Sequence, residues 1–271
     1  MNGFSEALIE RSGYEGDEFV ALYDEFRPRP PTALLRILMQ LAQTERPRLV
    51  VDLGCGTGIS TRVWAATAEE VVGVEPNPAM IGQARRRSKA ANVRYVERFA
   101  SESGVAAGAA DIVTCAQAFH WMDAAPALAE AARILRAGGV FAAYDYDVPP
   151  VVQPEVDQAF ASHLEARRAA RVRLGLEAGA ATWPKEQHVE QVRRIGLFRH
   201  ARELVCHGFG FADADRVIGM AESIGGPRTI FGDKASEVTS TFDGLRETAA
   251  RRLGKQEHPM TVCYRIRAGM K

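Results

Sequence analysis

Cysteine is scarce in this 271-residue chain. Cys55, Cys115, Cys206 and Cys263 lie far apart with no C-x-x-C spacing, which argues against a zinc ribbon or a disulfide framework and suits a reducing compartment. No uninterrupted apolar run approaches the roughly 18 residues that span a bilayer. The opening residues Met1-Asn2-Gly3-Phe4-Ser5-Glu6 lack the basic-then-apolar order of a secretory leader, so a cytoplasmic chain with no membrane partner is expected. An excess of one charge is missing too, with Lys+Arg and Asp+Glu equal at 34. Nucleic-acid binders usually carry a basic surplus, and the run Arg85-Arg86-Arg87 reads as the solvated face of a helix. Internal repeats, low-complexity tracts and clusters at metal-ligand spacing are also lacking, and no metal is expected.

Hydrophobic residues make up 46% of the chain and charged residues 25%, values of an ordinary globular protein with a real core. The first 46 residues read as an amphipathic helical cap, broken at Arg27-Pro28-Arg29-Pro30-Pro31. Strands are then expected at 48–53, 71–75, 93–96, 110–116 and 140–144. Helices alternate with them from about Ser60, over 78–90 and over 126–135, with Gly138-Gly139 ending the last of these. Such alternation argues for a parallel sheet with helices on both faces, doubly wound by right-handed crossovers. After Pro149-Pro150 the pattern loosens. Helices are expected over 154–174, 185–195, 213–224 and 236–253, and strands at 198–208 and 260–267, the last alternating at period two as an antiparallel strand does. One domain is expected, with a cofactor-binding core at 47–148 and a C-terminal half at 149–271 carrying further helices and the final strands.

Val50-Val51-Asp52-Leu53-Gly54-Cys55-Gly56-Thr57-Gly58 is the most specific feature. A buried strand delivers a glycine turn at its carboxyl end, where open α/β sheets bind ligands, and glycine lets a ligand approach the backbone closely. The spacing is G-x-G-x-G. A dinucleotide fingerprint wants G-x-G-x-x-G, and Ile59 fills the slot of its third glycine, which disfavours a nicotinamide oxidoreductase. Glu75 ends the second strand about twenty residues on, where a carboxylate can accept both hydroxyls of an adenosine ribose.

These motifs, with the apolar fourth strand and Ile134-Leu135-Arg136-Ala137-Gly138-Gly139-Val140, resemble the class I S-adenosylmethionine-dependent methyltransferase family. The likeness is to its small-molecule branch, which includes trans-aconitate and quinone methyltransferases. It implies a Rossmann-like sheet of seven strands ordered 3-2-1-4-5-7-6, mostly parallel with one antiparallel strand, under a helical lid. It also implies S-adenosylmethionine as cofactor and methyl transfer to a small molecule, with oxygen the expected acceptor atom. By the same resemblance Asp52 and the backbone of Gly54, Cys55, Gly56 and Gly58 hold the methionine moiety, and Glu75 the ribose. Asn77 and Met80 flank the adenine, Ala100 and Ser101 lie near its amine (with Glu102 competing for that slot), and Gln117 and Ala118 touch the cofactor. His120 is a candidate general base, because an imidazole titrates near neutrality. Tyr23, Arg27, Trp121, Tyr144 and Arg228 are candidates for the acceptor side. A cofactor-binding protein without turnover is the alternative function.

Overall fold

The computed structural model describes residues 17–176, 184–224, 231–232 and 234–271. Seven strands form one sheet in the order β3-β2-β1-β4-β5-β7-β6, as expected. β1 (Leu49–Leu53), β2 (Glu70–Val74), β3 (Val93–Val96), β4 (Ala110–Ala116) and β5 (Leu135–Tyr146) run parallel, and β7 (His258–Met270) lies antiparallel to β5. β6 (Arg199–Ala212) is the far edge. β1 is buried at every position and β4 at all but its last. That is the consequence of covering both faces of a parallel sheet with helices, and it explains why both strands read as continuous apolar runs.

The helices are α1 (Asp17–Phe26), α2 (Thr32–Leu41), α3 (Ile59–Val63), α4 (Pro78–Arg87), α5 (Ala124–Ile134), α6 (Pro154–Arg173), α7 (His188–Arg194), α8 (Ala214–Ser223) and α9 (Ser236–Arg252). α4 starts where it does because Pro78 cannot donate and the Asn77 side chain accepts from the Ala79 and Met80 N–H groups at 2.9 and 3.3 Å. Among the described residues no helix is long and apolar enough to cross a membrane.

One expectation fails at the end of α5. Gly138-Gly139 does not terminate that helix. The helix ends at Ile134, β5 begins at once at Leu135, and the two glycines lie inside the strand. Gly138 takes φ +73°, and a side chain on Gly139 would meet the backbone oxygens of Arg136 and Asp111 at 3.0 and 3.1 Å. The pair accommodates an irregularity in the β4–β5 register between Ala110 and Ile112.

The chain divides into two compact units. The sheet unit comprises Arg29–Tyr146, Thr182–Cys206 and Tyr264–Lys271; the helical unit comprises Met1–Pro28, Asp147–Ala181 and His207–Cys263. Within the helical unit α6 packs on α9, and Val156, Phe160 and Ala170 of the first helix and Val238, Phe242 and Leu245 of the second are buried. α1 packs on α8 there, where a side chain on Gly219 would strike the Phe26 ring at 2.5 Å.

Candidate active site

The glycine turn and the residues around it belong to the sheet unit. The turn after β1 is pinned to β2, since the N–H groups of Gly54 and Cys55 both donate to Val74 O, at 2.8 and 3.0 Å. Gly54, Gly56 and Gly58 take φ +68°, +55° and +78°, left-handed values that glycine adopts without steric cost. At Gly54 and Gly58 there is no room for a side chain either. A Cβ on Gly54 would lie 2.6 Å from Met122 and 2.8 Å from Ala118, and one on Gly58 would lie 2.4 Å from the Tyr95 hydroxyl. At its three glycines the turn presents backbone alone, with Met80 beside Gly56, 3.4 Å from where a Cβ would stand. Cys55 contributes only backbone to it, because its side chain packs with Ile81, Ala84 and Tyr95.

Glu75 stands at the rim of this turn, its two oxygens accepting from the N–H of Gly56 and of Asn77, each at 2.9 Å. Burial pushes its carboxyl up to about 7, the two N–H groups opposing that and the charge of Asp52 adding to it. Asp52 lies deeper, with no exposure at all. One oxygen accepts from Thr61 of α3 at 2.7 Å and the other from Thr114 of β4 at 2.8 Å. Burial raises its carboxyl to about 6 against the pull of those hydroxyls. Asp52 thus ties the glycine turn, the following helix and β4 together. Ala100 is buried in the adjoining core, whereas Ser101 and Glu102 are exposed.

Across the turn, β4 ends in a distorted step. Gln117 takes φ +51°, uncommon for a residue with a side chain. Its N–H donates to Tyr144 O at 2.9 Å and its side-chain amide to Tyr146 O at 3.3 Å. A short 3₁₀ turn, Phe119–Trp121, follows and sets the His120 ring 5.3 Å from that of Trp121. Tyr144 is 2% exposed and its hydroxyl is closely paired with that of Ser60.

Sequence reasoning did not find what meets this end of the sheet. Asp145, buried near the end of β5, is approached by four side chains from four elements. Lys185, on the 3₁₀ turn Lys185–Gln187, lies 2.9 Å from it and Arg267 of β7 3.1 Å; His188 of α7 is at 3.6 Å and His120 at 3.8 Å. Lys185 also donates to Gln117 Oε1 at 2.7 Å. Burial raises the Asp145 carboxyl, but His188 beside it, the charge of Lys185 and the nearby His120 outweigh it, holding the group well below the usual carboxylate range. The only forewarning in the sequence is an aspartate inside an otherwise apolar strand, Val140-Phe141-Ala142-Ala143-Tyr144-Asp145.

Two acceptor-side candidates, Tyr23 and Arg27, belong to the helical unit, where the Arg27 guanidinium lies 4.5 Å over the Tyr23 ring and donates to Ser223 O at 2.5 Å. Arg228 lies outside the described residues.

Residues 51–143 match the family model described as a methyltransferase domain. The chain is 30% identical over 177 residues to the malonyl-[acyl-carrier protein] O-methyltransferase of Pectobacterium atrosepticum, covering 65% of this chain and 68% of that protein. The chain belongs to the S-adenosylmethionine-dependent methyltransferase family. Saccharomyces cerevisiae has a probable S-adenosylmethionine-dependent methyltransferase, CRG1, that is 31% identical over 140 residues, 50% of this chain and 46% of that protein. The chain thus spans about half the length of several curated relatives it matches. Among solved structures, one from Anaeromyxobacter dehalogenans, described provisionally as a type II methyltransferase, superposes with a TM-score of 0.61 at 28% identity, over 90% of this chain and 98% of that one. The methyl donor of the family is S-adenosylmethionine, and this methyltransferase site fits it. The three glycines leave backbone exposed on the turn, the Glu75 carboxylate stands at its rim, and Met80 lies beside it, an arrangement with space and chemistry for the donor.

Proposed function

We propose that the protein transfers a methyl group from S-adenosylmethionine to an oxygen of a small-molecule acceptor, with His120 as the general base. The observation that carries this reading is the meeting of the glycine turn with the end of β4. Ala118 lies within 2.8 Å of where a Gly54 side chain would begin, and His120 follows two residues later. A donor cradled by the turn is thereby beside the residues that would handle the acceptor. That the Pectobacterium relative is an O-methyltransferase by name supports oxygen as the acceptor atom.

The cofactor supplies a methyl group already activated on a sulfonium. The protein's remaining tasks are to align the acceptor, exclude water and take a proton. In this reading the backbone of Gly54, Gly56 and Gly58 holds the donor, Glu75 accepts from its ribose, and Asn77 and Met80 border its base. Asp52 acts through the turn, as a positioning residue. Trp121 offers the acceptor a flat apolar wall beside His120. As the acceptor oxygen gains the methyl group, its proton passes to the imidazole, and the electron pair of the broken bond stays on the donor's sulfur.

Two measurements test the reading together. S-adenosylhomocysteine should bind the purified chain in calorimetry, and tritium from methyl-labelled S-adenosylmethionine should appear in product with members of a panel of small hydroxyl and carboxylic acids. Binding without turnover on any acceptor would favour a cofactor-binding protein, and absence of binding would remove the assignment altogether.

A further inference from the structure

The charged cluster around Asp145 has more partners than an ion pair requires. Burying a carboxylate is costly unless it is compensated, and Lys185 with Arg267 already supplies two permanent cations at 2.9 and 3.1 Å. Arg267 in turn does not depend on Asp145, since Glu203 of β6 accepts from its Nε at 2.8 Å. Yet two imidazoles also turn their Nδ1 atoms toward the same carboxylate, His120 at 3.8 Å and His188 at 3.6 Å. Their rings are stacked, 17° apart in plane with centroids 6.3 Å apart, and Phe119 meets the His188 ring edge-on at 4.9 Å. Lys185 and Arg267 thus leave the two imidazoles as additional, not sole, partners of Asp145.

We propose that Asp145 is the positioning anion for His120, aimed at its Nδ1 and held in place by Lys185, Arg267 and His188, so that the ring can carry the acceptor's proton on its other nitrogen. The inference rests on the reading of His120 as the base given above. The charged and titratable groups gathered at Asp145 and His120 include Lys185 from the 3₁₀ turn, His188 from α7 and Arg267 from β7, with Glu203 of β6 behind Arg267. The Cys115 thiol is near Asp145 and stays neutral, pushed up by burial and by the surrounding carboxylates. Asp145 favours a proton on His120; the cations Lys185 and Arg267 oppose it. Lys185 further links the cluster to the end of β4 through Gln117.

The test is a ring titration, which needs no acceptor and no turnover. The full chain is labelled with ¹³C,¹⁵N-histidine, His120 is assigned by the loss of its signals in His120→Asn, and its titration midpoint is followed by NMR. An opposite charge at this range shifts a pKa by about 1–3 units, so Asp145→Asn should lower the His120 midpoint by about one pH unit or more. Asp145→Glu should restore most of it, and Lys185→Met should raise it. A residue that only braced the fold would change stability without moving the midpoint. An unmoved His120 in folded Asp145→Asn overturns the proposal. Where that variant does not fold, Lys185→Met decides, a rise supporting the proposal and an unchanged midpoint overturning it. Failure of cofactor binding or of methyl transfer would sink the proposed function while leaving this titration as it stands, so the two failures are distinguishable.

Discussion

The carboxyl ends of β1 and β2 and those of β4 and β5 solve the same problem in opposite ways. Each buries a carboxylate beside the crevice. At the β1–β2 end the compensation is local and uncharged, with Glu75 accepting from Gly56 and Asn77 N–H groups and Asp52 from two threonine hydroxyls. Hydrogen bonds of this kind do not cancel a charge, and both carboxyls are raised by burial. At the β4–β5 end Asp145 is compensated by charged side chains from elements distant in sequence and stays ionised. The first side holds its carboxyls with uncharged donors, the second with charged side chains.

The sharpest way to break this contrast is to remove His120. Loss of a general base typically lowers the rate by about 10²–10⁴-fold. His120→Ala should therefore reduce kcat on that scale while S-adenosylhomocysteine still binds, because the donor is held on the other side. If KM rose and kcat did not, the histidine would be acting in binding alone.

Next in size is the glycine turn. Gly58→Ala forces a side chain to φ +78° and to within 2.4 Å of the Tyr95 hydroxyl. The left-handed conformation costs about 1–2 kcal/mol and the overpacking about 1–3 kcal/mol. Urea denaturation should show a loss in that combined range, together with weakened donor binding. An alanine accepted without change in either would mean that the turn is not shaped as described.

The β1–β2 end was legible in the sequence for a physical reason. A strand, a tight turn and a strand-end acid about twenty residues on are local features, and their chemistry is set by backbone conformation that glycine spacing reports. The seven-strand order followed from the family resemblance. At the β4–β5 end the candidates Gln117, His120 and Tyr144 were legible, but the cluster around Asp145 was not. Lys185 and His188 reach Asp145 from some forty residues further along the chain, after a stretch whose pattern is loose, and no spacing rule links them. Gly138-Gly139 misled because glycine marks helix ends and strand irregularities alike, and only pairing with β4 distinguishes the two.

Glu75 gives a smaller effect with a sign that can be checked. Glu75→Ala should weaken S-adenosylhomocysteine binding by about 1.5–3 kcal/mol, the range for hydrogen bonds to a charged group. Hydroxyl donors favour the ionised carboxylate, whereas burial holds the ligand-free group near 7. Binding below that pH must expel a proton, so affinity should fall by about tenfold per pH unit below pH 7 and level off above it. Ligand-free stability runs the other way. Between the ordinary value of 4.5 and about 7 the folded chain keeps a proton that the unfolded chain has lost, so stability falls as pH rises through that window. Calorimetry in buffers of different ionisation enthalpy would detect the released proton, and a flat affinity between pH 6 and 8 would show that Glu75 is already ionised.

The smallest effect is expected at Tyr144, which stands between the two ends of the site. It belongs to β5, one residue before Asp145, yet its hydroxyl pairs with Ser60 on α3, the helix that opens directly after the glycine turn. Tyr144→Phe keeps the ring in a fully packed position and removes one buried hydrogen bond, worth about 0.5–1.5 kcal/mol net. The loss should fall toward the lower end, because the Ser60 hydroxyl also interacts with Asp52 and can turn to it when Tyr144 no longer competes. In a double-mutant cycle with Ser60→Ala the two changes should therefore be less than additive, and methyl transfer should continue at close to the unsubstituted rate. If instead stability held and turnover dropped, the tyrosine hydroxyl would be serving the acceptor, and the boundary between the donor-holding and acceptor-holding ends would have to move one strand toward β1.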